Sequence, residues 1–411
     1  MSSMPRDPAF DSTLALLNDP YRFIGNRCKR LKSNLFQTRL LLQPTICMTG
    51  AEAAELFYDS RRFTRIGAAP EPVRATLFGK GGVQGLDGYP HQRRKAMFLS
   101  LLTPQRVEHL ANDVAAAWSE AIGHWQQQAK VVLYEAVQKL LTQAVCRWAG
   151  VSMPPEELPL RTRQLVSLFD EAGSLRHFRS RRARSKAEQW LSGLIDDVRT
   201  GRLKALEESA LSVIACHRDG NDSLLPLRVA AVELLNVLRP TVAVSVFVAF
   251  AAHAMHAFPF CLGPLQAGNA RYLEWFVQEV RRYYPFFPAV AARVRETFEW
   301  QGLRFERGRR VILDLYGTDH DPAVWGDPEA FRPERFGDQK VTPFNFIPQG
   351  GGDVRADHRC PGEGVAVAVM KVSVDFLVGL RYQVPSQDLR IDLQRLPAIP
   401  RSGFVIAGVT L

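Results

Sequence analysis

A glycine-rich loop in this sequence leads to a cysteine whose surroundings suit chemistry. In FNFIPQGGGDVRADHRCPGEGVAVAVMK, residues 344–371, Cys360 is followed by Pro-Gly and then by an apolar run of small residues. The run predicts a helix, and the N–H groups at a helix N-terminus stabilise a thiolate. Cys360 therefore fits a nucleophile, a redox thiol or a soft metal ligand, against the simpler role of a small buried side chain.

The neighbours of Cys360 favour the metal ligand. A nucleophile needs a general base, and His358, two residues away in an extended stretch, is not expected to be in register with it. The glycines suit a close approach of backbone to a large flat group. A haem with Cys360 as its axial thiolate meets these requirements.

A second unusual feature is a charge inside an apolar helical stretch. In LLNVLRPTVAVSVFVAF, residues 234–250, Arg239 and Pro240 are adjacent. A guanidinium stays charged and binds carboxylates with paired N–H donors, so a buried one needs an anion. The sequence shows no partner acid near it, and a substrate carboxylate would fill that place. Pro240 removes a backbone hydrogen bond and is expected to kink the helix, which makes room beside it.

Three further charged residues have the spacing of a buried ion-pair set. In QEVRRYYP, Glu279 and Arg282 lie three residues apart on one helical face, where they can pair. The segment DPEAFRPERF, residues 327–336, supplies Arg335 as a third member. Such a set acts as a structural lock, because removing one partner leaves an unpaired buried charge.

The elements that must position these residues are mostly helices. Apolar residues recur at intervals of three and four in residues 107–125 and 136–151, which predicts amphipathic helices. Strands are predicted within residues 36–50, 298–317 and 402–411. No linker or boundary is evident, so we expect one domain over residues 1–411, mainly α with small β-sheets, with a flexible N-terminal tail at 1–10.

Composition excludes several classes of protein. The chain of 411 residues is 46% hydrophobic, and its six cysteines are dispersed without a CxxC pair, which argues against a zinc ribbon or a disulfide scaffold. No signal-peptide pattern opens the sequence, so a cytoplasmic location is expected. The apolar stretch after Pro240 ends at His253, short of the about 20 residues that span a membrane.

The net charge of +10 is densest in RHFRSRRARSK, residues 176–186. This run could bind an acidic partner, such as nucleic acid, anionic lipid or an acidic protein. No nucleic-acid motif accompanies it, so a solvated helix face is favoured and no nucleic-acid partner is expected.

In their order and spacing, the ExxR, PERF and Gly-rich-loop–Cys motifs make the chain similar to the cytochrome P-450 superfamily over nearly its whole length. The resemblance implies the mainly α triangular prism of that fold. It also implies haem b (iron protoporphyrin IX) between a long central helix and the loop of Cys360. Cys360 would be the ligand of the haem iron, and Glu279, Arg282 and Arg335 would form the lock.

The central helix resembles one branch, the fatty-acid peroxygenases. Most members of the superfamily have an acid–alcohol pair here, whereas Thr241 follows Pro240 and no acid precedes it. Residues 77–95, LFGKGGVQGLDGYPHQRRK, and the QGGGD insertion at 349–353 are also similar to that branch. The resemblance implies H₂O₂-dependent hydroxylation of a medium- or long-chain fatty acid at the α or β carbon, without a redox partner and with minor decarboxylation to terminal alkenes.

Within that branch, Arg239 and Pro240 would be catalytic, with the substrate carboxylate bound to Arg239 serving as acid and base for O–O cleavage. Gln84 favours hydroxylation but could be a loop-capping amide, Phe286 and Val290 could be plain core, and His91 alone could be a surface histidine. The positions that match the branch are Phe78, Gln84, Phe286 and Val290 for substrate, and His91 and Lys95 for the haem propionates.

The cysteine loop departs from the branch, which usually reads GGGDHxxGHRCPGEW where this chain has GGGDVRADHRCPGEG. Val354, Asp357 and Gly364 replace His, Gly and Trp. Asp tolerates the left-handed backbone better than most replacements of glycine, so haem is still expected to bind. The effects would fall on its potential, the order of the loop and peroxide tolerance.

Two other functions remain open from the sequence. A conventional monooxygenase would need a redox partner, and the basic run at 176–186 could dock an acidic ferredoxin. A non-catalytic haem or fatty-acid binder is the other alternative, and the altered cysteine loop is the feature that favours it.

Overall fold

The computed structural model describes residues 4–170, 177–220 and 222–411, and most of their regular structure is helical, as predicted. The helices are α1 Thr13–Asn18, α2 Phe23–Leu31, α3 Ala51–Phe57, α4 Glu71–Val73, α5 Gly88–Leu101, α6 Pro104–Trp125, α7 Leu133–Ala149, α8 Leu158–Asp170, α9 His177–Arg199, α10 Ala210–Cys216, α11 Leu227–Ala243, α12 Ser245–Ala257, α13 Leu262–Gln266, α14 Ala270–Tyr283, α15 Leu315–Asp319, α16 Pro322–Trp325, α17 Arg335–Asp338 and α18 Glu363–Gly379. The strands are β1 Leu35–Leu40, β2 Gln43–Met48, β3 Phe63–Thr64, β4 Lys130–Val132, β5 Ala289–Val294, β6 Phe298–Trp300, β7 Leu303–Phe305, β8 Arg310–Asp314, β9 Arg381–Gln383 and β10 Val405–Thr410.

The ends of the predicted helices follow local chemistry. α6 begins after Thr103, whose hydroxyl accepts from the N–H of Arg106, and Pro104 occupies the first helical position. α7 ends at Ala149 and is followed by Gly150, which has a φ of 75° and so takes the left-handed conformation that closes a helix. The predicted helices at 107–125 and 136–151 are therefore confirmed, with starts three residues earlier.

The strands form three small sheets. The largest has the order β1-β2-β8-β5-β3, the second has β4-β10-β9, and β6 pairs with β7 as a hairpin. Strands were predicted in the segments that hold β1, β2, β6, β7, β8 and β10. β5 was missed because AVAARV, which follows a proline-containing turn, shows no alternation of apolar and polar residues.

The central helix runs through α11 and α12, with a break at Val244. Residues Leu227–Ala257 are together long and apolar enough to cross a membrane, but 89% of the most apolar window is buried inside the protein. The expectation of a core helix is confirmed. The interruption falls four residues after Pro240, not at it: the N–H of Val244 bonds the carbonyl of Thr241 at 3.2 Å, which tightens the turn there.

Glu279, Arg282 and Arg335 meet in the interior between α14 and α17. The carboxylate of Glu279 accepts from Arg282 Nε at 2.7 Å and from Arg335 Nε at 3.1 Å, and all three side chains are buried. Arg282 Nη2 also donates to Glu279 at 2.8 Å, and other N–H groups of the two guanidinium groups donate to backbone carbonyls, among them those of Trp325 and Pro328. The set thereby attaches α17, which precedes the cysteine loop in the chain, to α14.

The flexibility expected of residues 1–10 stays a prediction, but residues 4–10 contact the rest of the fold. The side chain of Asp7 is buried, binds Arg27 and Arg30, and its backbone N–H donates to the carbonyl of Gln37 at 2.9 Å. A buried carboxylate with two cationic partners ties the segment to α2 and β1. Residues 1–3 lie outside the described part of the chain.

Candidate active site

Cys360 lies at the start of α18, two residues before its N-cap Gly362, as predicted. Its N–H donates to the carbonyl of Gln349 at 3.2 Å, and the sulfur accepts from the N–H of Gly362. Burial is the largest influence on the thiol and raises its pKa, with Lys95 and Arg281 acting in the opposite direction. The side chain nevertheless keeps some accessible surface.

The glycines of the cysteine loop (residues 344–362) are required by the packing of the loop itself. A Cβ on Gly351 would lie 2.6 Å from the carbonyl oxygen of Pro343, and Gly350 and Gly352 have φ of 92° and 84°. The packing of the loop thus requires these glycines, and a close approach of its backbone to a flat group stays a prediction.

The atypical residues of this loop form an ordered turn. Asp353 Oδ1 accepts the N–H groups of Arg355 and Ala356, and Asp357 Oδ2 accepts the N–H of Asp353 at 2.8 Å. A Cβ on Gly352 would lie 2.5 Å from that same Asp357 oxygen, so the pair fits closely. Val354 and Gly364 are exposed, and a Cβ on Gly364 would meet open space. The substitutions therefore leave this loop folded.

Arg239 is a buried cation that makes no ion pair with any described carboxylate. Its side chain is 6% exposed, its Nη2 donates to Asn236 Oδ1 at 3.4 Å, and its Nε has no hydrogen-bond partner in the described part of the chain. Burial, and to a smaller extent Arg184, lowers the pKa of Arg239 to about 9, and the thiolate form of Cys360 acts in the opposite direction. The buried charge of the guanidinium would therefore be stabilised by an anion next to it.

Asn236, which sequence reasoning missed, connects Arg239 to two other side chains. Its Nδ2 donates to Gln84 Oε1 at 3.2 Å and to Glu233 Oε2 at 2.8 Å. Gln84 is therefore hydrogen-bonded to the same amide that contacts the guanidinium. The spacing of Asn236 and Arg239, three residues apart on one helix, was a signal in the sequence for this contact.

Glu233 is fully buried on α11, but its charge is committed elsewhere. Its carboxylate binds Arg94 of α5, which also pairs with Asp219 at 2.9 Å. Burial raises the pKa of Glu233, and Arg94 opposes that increase. Arg94 and Glu233 are 139 residues apart in the chain, so no local pattern could have indicated the pair.

Arg184 places Phe78. Residues Arg74–Phe78, which precede the glycine-containing segment 79–87 before α5, form a π-helical turn. Arg184 of α9 is 3% exposed, donates to the carbonyls of Thr76 at 2.6 Å and Phe78 at 3.3 Å, and pairs with Glu188 at 2.8 Å. This residue belongs to the basic run, which is thus not wholly a solvated face. Arg176 of that run lies outside the described residues.

His91 and Lys95 lie one turn apart on α5 and both face the cysteine loop. His91 is 4% exposed and stacks on His358 at 4.0 Å, so it is not a surface histidine. Burial is the main cause that lowers the pKa of His91 to about 3. Lys95 donates to the carbonyls of Asp357 and Arg359. These contacts attach α5 to the loop; a propionate contact remains a prediction for both residues.

Phe286 and Val290 follow α14 along the chain. Phe286 is buried and packs against Phe247 of the central helix at 4.3 Å. Val290 lies in β5 opposite Leu313 and is partly buried. Their described contacts are those of core residues, so a place in an acyl channel stays a prediction.

Comparison with known proteins gives a consistent result. The family model described as Cytochrome P450 matches residues 266–387. The solved structure of a cytochrome P450SP alpha (CYP152B1) variant is 51% identical, covers 98% of this chain and 99% of its own, and has a TM-score of 0.96. Cytochrome P450EX alpha (CYP152N1) with myristic acid is 43% identical over the full length of both chains, with a TM-score of 0.95.

Ligand-free cytochrome P450 OleT is 36% identical over 99% of each chain, with a TM-score of 0.96. Sequence identity at this level over whole chains indicates membership of one family as well as a shared fold. These relatives are fatty-acid peroxygenases. The sequence resemblance and the predicted fold class are therefore confirmed. The chain belongs to the cytochrome P450 superfamily and, within it, to the CYP152 fatty-acid peroxygenases.

Proposed function

We propose that this protein uses H₂O₂ to hydroxylate fatty acids at the α or β carbon, with haem b held by Cys360. The observation that carries the proposal is Arg239, a buried guanidinium without a carboxylate partner among the described residues. Two relatives support the substrate class, because they have been solved with the carboxylic acids myristic acid and (R)-ibuprofen.

The residues present fit a haem. Burial disfavours the thiolate of Cys360, and a cationic metal beside the sulfur would stabilise it. A cavity of about 130 Å³ beside α5 is lined by Arg65, Arg295 and His91, next to the carboxylate of Asp87. Cations and donors there suit the propionates of the cofactor. When bound, a haem thiolate supplies the redox chemistry that activates peroxide and oxidises a C–H bond.

Arg239 binds the substrate carboxylate and orients the acid. A guanidinium–carboxylate pair can form two parallel hydrogen bonds, and binding replaces the lost hydration of a buried cation. Asn236, one turn earlier on α11, accepts a hydrogen bond from Nη2 of Arg239, which limits the rotation of the guanidinium. Because the carboxylate is anchored, the α and β carbons follow next to it, and positioning becomes the main catalytic contribution of the chain.

The carboxylate bound to Arg239 also moves the proton of the peroxide. It accepts the proton from one peroxide oxygen and returns it to the other during O–O cleavage, which is general acid–base catalysis by the substrate itself. Pro240 follows Arg239 inside α11, where it has no N–H to donate to the helix, and we assign it a role in making room beside the guanidinium. Hydroxy acid is the main product, with terminal alkene as the minor one.

A conventional monooxygenase is the second candidate, and Thr241 disfavours it. The hydroxyl of Thr241 donates to the carbonyl of Val237 at 3.0 Å, so it is used within its own helix. Glu233, on the same helix, is paired with Arg94. Neither residue is placed to relay protons to reductively activated oxygen.

One assay separates the candidates. Purified holoenzyme receives myristate and H₂O₂ without a reductase, and the products are identified by mass spectrometry. We expect 2- or 3-hydroxymyristate. Methyl myristate, which has the same chain without a free carboxylate, is the matched control and should give no product.

Other outcomes would overturn the proposal. Turnover only with NADPH and a ferredoxin system would establish the monooxygenase, and a spectral response to myristate without product in either assay would establish a binding protein. The variant Cys360→Ala tests the ligand separately: it should lose the ~450 nm band of the ferrous CO complex that a thiolate ligand implies. Retention of that band would disprove the assignment.

A further inference from the structure

Arg310 of β8 is a buried cation that, like Arg239, makes no ion pair with a described carboxylate. Seven arginines are buried among the residues that the structure describes. Five of them bind a carboxylate, namely Arg94, Arg184, Arg281, Arg282 and Arg335. The other two are Arg239, to which we assign the substrate carboxylate, and Arg310. A buried cation is unfavourable without an anion, so an anion from outside the chain would stabilise Arg310 as well.

The contacts of Arg310 parallel those of Arg239. Nη2 of Arg310 donates to Gln43 Oε1 at 2.5 Å, as Nη2 of Arg239 donates to Asn236 Oδ1. In both side chains Nε has no hydrogen-bond partner in the described part of the chain, and both are 6% exposed. In each case a neutral amide holds one end of the guanidinium and leaves its charge uncompensated.

Arg293 of β5, the direct cross-strand neighbour of Arg310, is also a cation that pairs with no described carboxylate. The two residues are opposite each other in the antiparallel β5–β8 pair. Arg293 is half-buried, and its guanidinium donates to the carbonyls of Gly67 at 2.8 Å and Gly308 at 2.9 Å. Burial, and to a smaller extent Arg293, lowers the pKa of Arg310. Like charges directly opposite each other destabilise a sheet, so the pair is unfavourable as it stands.

The row of side chains that contains the two arginines has no acid. One residue from each strand of the main sheet forms this row on one face, in the order Thr38, Thr45, Arg310, Arg293 and Thr64. Asp87 contacts the row at Thr64 of β3, two strands away from β8, and also accepts the N–H of Arg65. The row thus leaves the two positive charges uncompensated.

Arg310 contacts an exposed residue, Gln43, at the start of β2. An anion that takes the place of this amide would meet the guanidinium of Arg310 beside that of Arg293. A guanidinium presents two parallel N–H donors to the oxygens of such an anion. The unpartnered Nε of Arg310 would then be satisfied.

From these observations we propose that Arg310 and Arg293 bind a phosphate group, either as the free ion or as the ester of a small molecule. Two adjacent guanidinium groups favour an anion with about two negative charges, which a phosphate group carries near pH 7 and a carboxylate does not. Binding removes the repulsion between the two cations and so stabilises the pairing of β5 with β8. The proposal does not depend on the peroxygenase activity.

The test measures the binding of inorganic phosphate to the holoenzyme by isothermal titration calorimetry, with chloride keeping the ionic strength constant. We expect saturable binding and a Tm that rises with the phosphate concentration, since a ligand of the folded state stabilises it. Arg310→Met replaces the buried cation by an apolar side chain, so it should raise the Tm without phosphate and weaken phosphate binding by about tenfold or more. Phosphate bound at Arg239 or elsewhere would persist in this variant, so its difference from the parent reports on Arg310.

Two further variants complete the test. Arg307→Met removes an equal charge from an exposed position three residues before Arg310, and it should bind phosphate like the parent. Arg293→Gln keeps Arg310 and removes the second cation, so it should also weaken phosphate binding by about tenfold. This variant decides the question if Arg310→Met does not fold.

Glycerol 3-phosphate and acetate identify the class of anion. Acetate carries a single charge and should bind about tenfold more weakly than phosphate, or not at all. Tighter binding of glycerol 3-phosphate than of inorganic phosphate assigns the site to a phosphate ester, and the reverse assigns it to the free ion. Either order supports a phosphate site.

Four results would overturn the proposal. The first is the absence of saturable phosphate binding to the parent protein. The second is phosphate binding that neither Arg310→Met nor Arg293→Gln weakens. The third is an equal loss of binding in Arg307→Met, which would indicate general attraction to a basic surface. The fourth is acetate binding as tight as that of phosphate.

Discussion

Replacing Arg239 with methionine should stabilise the fatty-acid-free protein while it destroys activity. The pKa of Arg239 falls from 12.5 to about 9, chiefly because of burial. At about 1.4 kcal/mol for each pKa unit, this places a ceiling of about 5 kcal/mol on the cost of the charge. Because this pKa is lower in the folded than in the unfolded protein, the cost is present at every pH below about 9. We expect Arg239→Met to raise the free energy of unfolding at pH 7.

The same change removes the partner of the substrate carboxylate. Truncating one member of a buried charge pair costs about 2–5 kcal/mol, which corresponds to a fall of about 30- to 5,000-fold in kcat/KM for myristate. Binding to the folded state alone also stabilises a protein. Saturating myristate should therefore raise the Tm of the parent protein and leave that of the variant almost unchanged.

Arg184 provides the matched control, since it is equally buried but paired. Arg184→Met leaves Glu188 with only Arg228 and frees the carbonyls near Phe78, so it should lower the free energy of unfolding. The two variants thus shift urea midpoints in opposite directions. If Arg239→Met lowered stability, the unpaired-charge argument would fail; if it kept myristate turnover within about threefold, the carboxylate role would fail.

Three further substitutions test the framework. Glu279→Gln leaves Arg335 buried beside a neutral amide and should cost about 3–5 kcal/mol of unfolding free energy in urea titrations; a loss below about 1 kcal/mol would contradict the lock. Gly79→Ala places a methyl group 2.1 Å from Arg184 Nη2 at a φ of 83°, so Tm should fall and KM for myristate should rise, and an unchanged KM would separate this turn from the substrate. Burial lowers the pKa of His253 to about 4, so its contribution to stability is complete above about pH 6.5 and is lost as pH falls toward 4. His253→Gln should flatten the pH dependence of unfolding free energy in that window, and an unaltered slope would refute this.

The sequence predicted those parts of the site whose partners are close in the chain. Glu279 and Arg282 are three residues apart, and Cys360 directly precedes an apolar helix, so periodicity was sufficient. The contact of Arg94 with Glu233 joins residues 139 apart, and only the folded chain brings them together. The burial of Arg184 was not predicted, because the residue lies in a run of cations that is typical of a solvated helix face. In the helix, Arg184 points to the interior while its charged neighbours in the run lie on the outer side.

Contacts between residues distant in the chain also bear on why Arg239 stays unpaired although Glu233 lies on the same helix, α11. A buried carboxylate near a buried guanidinium would normally form an ion pair with it, and the substrate would then have to displace that acid. Glu233 does not form this pair: it lies six residues from Arg239, off the i,i+3 and i,i+4 spacing of neighbours on a helix, and its carboxylate binds Arg94 of α5, which is itself held by Asp219. Asn236 then offers Arg239 a neutral oxygen, which orients the guanidinium without satisfying its charge. The internal acid is thus neutralised by a second cation, and the free energy of forming a carboxylate–guanidinium pair is reserved for the substrate.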